Sequence, residues 1–295
     1  MRKDTEPLTN GMPYALGSYV LWGLFPLYFH AVRAVPPLEL VGWRILLTIP
    51  VCLIIVSLRR EFGMVWLALR NRGAVMALAA SALLIGTNWL IYVSAIQQGH
   101  VFATSLGYYI NPLMNVLAGT VFLRERLSRP QWIAVALAAV GVFLLAWGAR
   151  EMLWISMALA ITFSSYGLVR KLAPVEALPG LTIETLILTV PGLALVLWQA
   201  STPAGSSFGH SWDQSLLLSL AGLVTGIPLL LFAVAARKLP YSTLGFIQFL
   251  APTIIFILGL TVFDEPLNMV QLICFGFIWA AIAVFSVDLL KNRRR

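Results

Sequence analysis

The chain has 295 residues, of which 60% are hydrophobic and only 11% are charged. Soluble domains carry about 25% charged residues, and no single core hides so much apolar surface from water. The composition therefore excludes an ordinary soluble protein and predicts an integral membrane protein with a lipid bilayer as its solvent.

The formal net charge of +8 does not indicate a nucleic-acid partner. Lys and Arg fall in short connectors and at the two ends of the chain, not along one face. The two cysteines, Cys52 and Cys274, each lie alone in an apolar run, without the spacing of metal ligands. We therefore expect no nucleic acid, no metal and no cofactor.

Ten apolar stretches are long enough to cross a bilayer, which takes about 20 residues. In chain order, and numbered as segments 1 to 10, they are 12–32, 37–58, 74–97, 101–123, 131–148, 153–169, 181–200, 215–236, 241–263 and 268–290. The sequence thus predicts an all-α fold with ten transmembrane helices.

The distribution of positive charge predicts the orientation of these helices, because cytoplasmic loops are rich in Lys and Arg. With a cytoplasmic N-terminus, 17 of the 20 Lys and Arg residues lie on the cytoplasmic side, Arg170 among them. Only Arg33 and Arg150 lie outside, and Arg44 falls within a span. Both termini are predicted to be cytoplasmic, in a multi-pass protein of the inner membrane.

An internal repeat relates the two halves of the chain at a shift of 140 residues. Five identities align without a gap, in which the first-half residues Pro112, Gly119, Glu125, Leu127 and Gln131 fall on Pro252, Gly259, Glu265, Leu267 and Gln271. The orientation places the connector of Glu125 inside and that of Glu265 outside. We therefore expect two inverted five-helix repeats, at 1–150 and 151–295, an arrangement suited to alternating access.

Several motifs resemble the drug/metabolite transporter superfamily, of the EamA type, and specifically its RarD branch. They are NWLIY at 88–92, SLGYYINPL at 105–113, GIPLLLF at 226–232, LP at 239–240 and FGFIW at 275–279. The resemblance covers essentially the whole chain. It implies a central cavity lined by helices 1–4 and 6–9, with helices 5 and 10 at the periphery, where they are placed to form a homodimer. It also implies export or exchange of a small metabolite or drug-like solute without an ATP-binding domain.

Polar side chains inside spans usually face the bundle interior or a water-filled cavity. Thr104, Tyr108, Asn111 and Asn115 follow each other at spacings of 4, 3 and 4, which places them on one face of segment 4. Pro112 beside them removes a backbone hydrogen bond. This stripe fits either the wall of a solute cavity with a movable kink or hydrogen bonds that join helices.

Further candidates for the cavity come from the other segments. They are Trp22 in segment 1 and Asn88 and Tyr92 in segment 3, followed by the weaker candidates Ser165 and Tyr166 in segment 6, Thr225 and Pro228 in segment 8 and Gln248 in segment 9. Pro252, the counterpart of Pro112, is a candidate for gating.

Two charged side chains lie within spans, Arg44 and Glu184. Arg44 fits either attraction of an anionic solute or capping of backbone carbonyls. Glu184 fits either uptake of a coupling proton or an interfacial carboxylate near a helix N-terminus. Their depths in the bilayer differ by roughly 15 Å, which disfavours a direct pair.

An enzyme and a scaffold are the competing classes. The string GSSFG at 205–209 matches the nucleophile-elbow pattern, but it lies in a short loop between two predicted membrane helices instead of a strand-turn-helix. We therefore expect no catalytic residues. A membrane scaffold or accessory subunit that transports nothing remains the alternative. The GxxxG pair Gly222 and Gly226 fits either a homodimer contact or packing within one chain.

Overall fold

A computed structural model describes residues 10–147, 152–264, 266 and 269–292. All regular secondary structure in these residues is helical. The helices, in chain order, are α1 (Met12–Gly23), α2 (Phe25–Ala31), α3 (Pro37–Arg59), α4 (Phe62–Arg70), α5 (Arg72–Gln97), α6 (Val101–Val121), α7 (Arg129–Trp147), α8 (Leu153–Leu172), α9 (Ala177–Ala200), α10 (Trp212–Ser219), α11 (Ala221–Lys238), α12 (Tyr241–Gln248), α13 (Leu250–Thr261) and α14 (Met269–Asn292).

Each predicted segment corresponds to one helix or to a pair of consecutive helices. Eight helical segments of the described chain are long and apolar enough to cross a membrane. The first and fourth predicted segments fall outside this set. Segment 1 divides at Leu24 into α1 and α2, and α6, the helix of segment 4, carries the polar stripe.

Prolines account for two of the three breaks within segments. Pro26 and Pro252 have no N–H to donate to the carbonyl four residues earlier, and α1 and α12 end close to those carbonyls, at Gly23 and Gln248. Segment 8 divides at Leu220 into α10 and α11. By contrast, α6 continues through Pro112 as one helix, so the kink expected there is not a helix break.

The outward faces of the bundle are apolar, as expected of a surface in contact with lipid. Leu58, Met76 and Val190 are 79%, 72% and 76% exposed. Helix α4, which the sequence analysis missed, contributes to this surface. Its nine residues extend about 13 Å, which is too short to span a bilayer, and it packs on α9 through Val65 and Ala68.

The helices pack mainly across the two halves of the chain. Helix α3 packs on α9 and α11, both α5 and α6 pack on α8, α6 packs on α12, and α1 packs on α11 and α13. Helices α7 and α14 pack on each other at one side. The bundle thus surrounds a centre to which both halves contribute.

The tightest of these contacts joins α3 and α11 at Gly222. A Cβ at this position would clash with the backbone of Leu47, and one at Gly226 would lie 3.1 Å from Cγ2 of Thr48. The GxxxG pair is therefore used for packing within the chain, which leaves no reason to assign it to a homodimer.

We expect Gly222→Ala to destabilise the protein by about 1–3 kcal/mol, since the added methyl group forces the two helices apart. Thermal unfolding of the purified protein in detergent measures this as a lower Tm. Gly276→Ala is the matched control, because a Cβ there meets nothing within 4 Å. Equal Tm values for the two variants would contradict the close contact.

Candidate functional site

A cavity lies at the centre of the bundle and encloses about 1070 Å³ of space, including its mouth. Its wall includes Phe29 near the end of α2 and Thr104 in the first turn of α6. The mouth therefore lies at the face of the 32–36 and 98–100 connectors, which we call the open face. The opposite face, with the 122–128, 173–176 and 239–240 connectors, is called the closed face.

Most of the predicted site residues line this central cavity. They are Trp22, Arg44, Asn88, Tyr92, Tyr108, Asn111, Gln248 and Pro252, joined by Thr104 and Thr225. With Leu159 and Phe163 of segment 6, the lining residues come from segments 1–4, 6, 8 and 9. Helices α7 and α14 do not contribute, as expected, but neither does α9 of segment 7, which packs on α3, α5 and α11.

The polar stripe of α6 forms one wall. Thr104, Tyr108 and Asn111 line the cavity, and the Oδ1 atom of the buried Asn111 has no hydrogen-bond partner among the described residues. Asn115, one turn deeper, lies outside the cavity. Its amide donates to Oε1 of Gln248 on α12. The stripe thus has both of its expected roles. Three of its residues line the cavity, and Asn115 forms a hydrogen bond that joins two helices.

Arg44 is the charged group of the central cavity. Its side chain is 8% exposed, and its Nε donates to Oγ1 of Thr225 at 2.8 Å. The guanidinium carbon lies 5.0 Å from the ring centre of Trp89 and 5.7 Å from that of Phe29. Within the described residues no carboxylate lies at ion-pair distance from Arg44. Its charge is held by aromatic faces and one hydroxyl.

Aromatic rings form most of the remaining wall. Trp22 packs edge-on against Phe163 at 5.5 Å, and Tyr92 packs edge-on against Tyr108 at 6.2 Å. The polar group of Asn88 is partly used, since its amide donates to the Leu159 carbonyl and to Oγ1 of Thr162, both at 2.9 Å. The cavity therefore combines one cation with a few amides and hydroxyls in aromatic surroundings.

Tyr166, a predicted cavity residue, lies below the floor instead. It is fully buried and stacks on Phe232 at 6.0 Å, next to Tyr19 and Phe163. These rings fill the space between the cavity and the closed face. A polar group within an apolar segment indicated that Tyr166 faces the bundle interior, but not how deep it lies.

Glu184 is more deeply buried than one of its two predicted settings, an interfacial carboxylate, requires. It is 2% exposed and pairs with Arg170, whose Nε lies 3.5 Å from its Oε1. Arg170 was predicted to lie in a cytoplasmic connector, but it is in the last turn of α8 and is 1% exposed. A buried carboxylate needs a partner, and this need draws Arg170 into the bundle. Glu184 is therefore not an interfacial carboxylate.

Hydrogen bonds between connectors seal the closed face. The carboxylate of Glu125 accepts from the N–H groups of Tyr241, at 2.6 Å, and Ser242, at 2.8 Å, which begin α12. Nζ of Lys171 donates to the carbonyls of Ala236 and Leu239 at the end of α11. The repeat partners Glu265 and Leu267 lie outside the described residues.

The serine loop at 205–209 has a structural contact. Ser206 Oγ, Ser207 Oγ and the Ser207 N–H donate to the carboxylate of Glu39, at 2.6, 2.7 and 2.8 Å. Glu39 lies in the first turn of α3 and also accepts from Nε1 of Trp43. These serines hold the 201–211 connector to the bundle. Among the described residues no group of three His, Cys, Asp or Glu side chains is placed to hold a metal.

Glu39, Trp89, Phe163 and Arg170 were missed by the sequence analysis. Glu39 stands two residues inside segment 2 and was a detectable signal, because a carboxylate there requires donors. Trp89 lies beside Asn88 in a quoted motif, but an indole in an apolar segment gives no sign that it also lines the cavity. Phe163 carries no polar group, and an aromatic residue in an apolar run has no signature of its own.

Comparison with known proteins identifies relatives along the whole chain. A model of the EamA-like transporter family matches residues 9–147. An uncharacterized transporter of Pseudomonas aeruginosa is 44% identical, over 99% of this chain and 98% of that protein. Protein RarD of Escherichia coli K12 is 38% identical, with 99% of each chain covered. A solved crystal structure has a TM-score of 0.75 over 95% of this chain and 98% of that one, and at 19% identity it shows a shared fold only.

These relatives and the apolar helical fold define the class, which is a multi-pass membrane transporter of the drug/metabolite superfamily. The chain belongs to the EamA-like transporter family, in its RarD branch.

We expect Glu39→Ala to loosen the 201–211 connector, because three serine donors lose their acceptor. A hydrogen bond to a charged group is worth about 1.5–3 kcal/mol, so chymotrypsin should cut after Phe208 about tenfold faster or more. Glu61→Ala is the control, since Glu61 pairs with the exposed Arg59 and lies away from this connector. Equal cleavage rates for the two variants would show that Glu39 does not anchor it.

Proposed function

We propose that this protein is a secondary transporter that exports a small amphipathic solute bearing an anionic group, by alternating access across the inner membrane. The observation that carries the proposal is the buried guanidinium of Arg44, which faces a cavity open to one face of the bundle. It has no carboxylate partner among the described residues.

The asymmetry of the two faces supports alternating access. Tyr108, in the wall of the mouth, is 38% exposed, whereas Tyr19, Tyr166 and Tyr241 on the closed side are all 0% exposed. A channel needs a continuous path, and here aromatic rings and the bonds of Glu125 and Lys171 close one end. A carrier caught with one side open has this form.

The contact pattern supports the proposal that 1–150 and 151–295 are inverted repeats. In the two proposed repeats α5 corresponds to α11, and α8 corresponds to α1. The contact of α5 with α8 is therefore the counterpart of the contact of α11 with α1. The contact of α3 with α11 is likewise the counterpart of the contact of α9 with α5. All four of these helix contacts are observed. The contacts of α3 with α9, α6 with α12 and α7 with α14 map onto themselves. Five segments per half make the halves cross the membrane in opposite senses.

The proposed orientation places both termini in the cytoplasm, so the open face is external. Although Arg170 lies inside the bundle, Lys and Arg remain in excess on the cytoplasmic side.

Export is proposed from the family resemblance alone. A homodimer is proposed on the same ground, through the peripheral pair α7 and α14, whose outward side chains Phe143 and Trp147 are 60% exposed.

The chemistry of the cavity supports the solute class. Arg44 suits a carboxylate or another anion, and Asn111 and Gln248 offer amide groups. The rings of Trp22, Trp89 and other aromatic residues suit an apolar or aromatic body. A solute that combines these features satisfies Arg44 without leaving polar groups unpaired.

The test is solute exchange in proteoliposomes with a labelled panel of amino acids, simple carboxylates, purines and chloramphenicol, the last because a 28% identical relative from Pseudomonas aeruginosa is named for sensitivity to it. We expect Arg44→Ala to slow exchange of an anionic solute by about 10- to 100-fold, mainly through KM, since about 1.5–3 kcal/mol of charged hydrogen bonding is lost. The exchange rates of uncharged panel members should change much less.

Arg72→Ala, at an exposed position, is the matched control. If Arg44→Ala slowed the exchange of charged and neutral solutes equally, an anion contact would be excluded.

Asn111→Ala tests the transporter against the scaffold alternative. In a transporter, loss of this cavity amide should lower exchange by about tenfold while the melting temperature stays within the range of the wild type. Panel solutes should stabilise the wild type against heat and stabilise the variant less. A scaffold would show neither exchange nor solute-dependent stabilisation in either protein.

A further inference from the structure

A second, smaller cavity continues from the floor of the central cavity towards the closed face. It shares the wall residues Ile85, Trp89, Thr225 and Leu229 with the central cavity. It is narrow and has room for about one water molecule. Glu184 lies in its wall.

Half of the Glu184 carboxylate is unsatisfied. Oε1 accepts from Oγ of Ser81 and faces Nε of Arg170 at 3.5 Å. Oε2 is buried and has no hydrogen-bond partner within the described residues, although the hydroxyl of Tyr166 faces the carboxylate. A carboxylate oxygen without a donor in such surroundings is costly, unless it serves to receive a proton or a water molecule.

The groups around Glu184 come from every helix that packs on α9. Arg170 and Tyr166 face it from α8, and the thiol of Cys52 lies beside Thr182 and Thr185 on the α3 side. Ser81 of α5 is neutral. The surrounding residues of α11 and α4 are uncharged, namely Thr225, Leu229, Val65 and Ala68. Arg170 is thus the single charged neighbour among the described residues.

The occupant that fits this site is a proton. A metal cation needs about six oxygen ligands, whereas Glu184 is the single carboxylate among the eleven wall residues, five of which are Ile or Leu. The guanidinium of Arg170 would also repel a metal ion. The solute is excluded by size, because the cavity has room for about one water molecule.

We propose that Glu184 binds a proton that arrives through the two cavities, and that this protonation releases the closed face. The inference rests on the proposed function. A hydronium ion in the central cavity gives a proton to Oε2, and the carboxylate becomes a neutral carboxylic acid. No other covalent bond changes, and Arg170 keeps its charge but loses its counter-charge.

The position of Arg170 connects this step to the closed face. It lies in the last turn of α8, and its Nη2 donates to the Ala177 carbonyl at 2.8 Å, across the 173–176 connector. Gly180 makes the space for the guanidinium, since a Cβ there would clash with it. An unpaired buried charge is strongly unfavourable. Opening the closed face brings water to Arg170 and removes this cost, so protonation favours opening.

Cys52 reports this opening without any solute. It is 1% exposed, lies seven residues before the end of α3 at the closed face, and becomes the single thiol in a Cys274→Ala background. We expect its rate of reaction with N-ethylmaleimide, divided by that of a free thiol at the same pH, to rise about tenfold from pH 8 to pH 5.5. In Glu184→Gln the rate should be high at pH 8 and independent of pH.

Three variants make the outcome decisive. Ser81→Ala removes a donor to the charged carboxylate and should move the midpoint of the profile upward by about one pH unit, even if Glu184→Gln fails to fold. Glu176→Gln, an exposed carboxylate of the 173–176 connector, should keep the wild-type profile. Cys52→Ala leaves Cys274 as a reporter of general loosening and should show no such rise.

A wild-type rate that does not change with pH would overturn the proposal, as would a Ser81→Ala midpoint that does not move. Either result leaves solute exchange in proteoliposomes unaffected, so the failure of proton binding is separable from failure of the proposed transport. Exchange that is absent while Cys52 follows the expected profile would instead overturn the proposed function.

Discussion

The cost of burying an ionised group without a partner determines how this bundle is arranged. Removing one partner of a buried pair costs about 3–5 kcal/mol, and the protein meets this constraint in three ways. Glu39 collects donors from a loop, and Glu184 draws Arg170 out of the connector region into the bundle. Arg44 has only Thr225 and aromatic faces, and it is the one of these four groups that faces the central cavity. The charge left incompletely satisfied thus stands where a solute can reach it.

Hydrogen bonds between the two halves connect this charge to the rest of the fold. Arg44 bonds to Thr225, Asn88 to Thr162, Asn115 to Gln248 and Glu125 to the start of α12, and each of these bonds joins a first-half residue to a second-half residue. Several hydroxyls in the spans, such as those of Ser18, Thr182 and Thr189, bond within their own helix, whereas these four bonds join the two halves. Arg44, Thr225 and Gln248 take part in them and also line the cavity, so a relative movement of the halves must change the cavity.

The sequence was sufficient for features that depend on one helix at a time. Apolar length gave the helical segments to within a few residues, and spacing gave the inward faces of α6 and α5, including Asn111 and Asn88. Features that depend on two helices were not predictable. The depth of Tyr166, the burial of Arg170 and the absence of α9 from the cavity wall depend on how several helices pack together. The nine-residue helix α4 escaped notice because its apolar run is too short for a span.

The remaining unsatisfied polar atoms follow one line through the molecule. Among the described residues, the buried side-chain atoms without hydrogen-bond partners belong to Asn111, Asn115, Tyr19, Tyr166, Arg170 and Glu184. They begin at the wall of the central cavity, pass through its aromatic floor and end at the buried ion pair below it. Each such atom costs about 1–3 kcal/mol. A fold selected only for stability would scatter or remove these costs, whereas a path that alternately admits water and solute needs its polar groups in this order. In the proposed transport cycle, the same atoms that are unfavourable with the closed face shut would become hydrated when it opens, which would bring the two states closer in free energy.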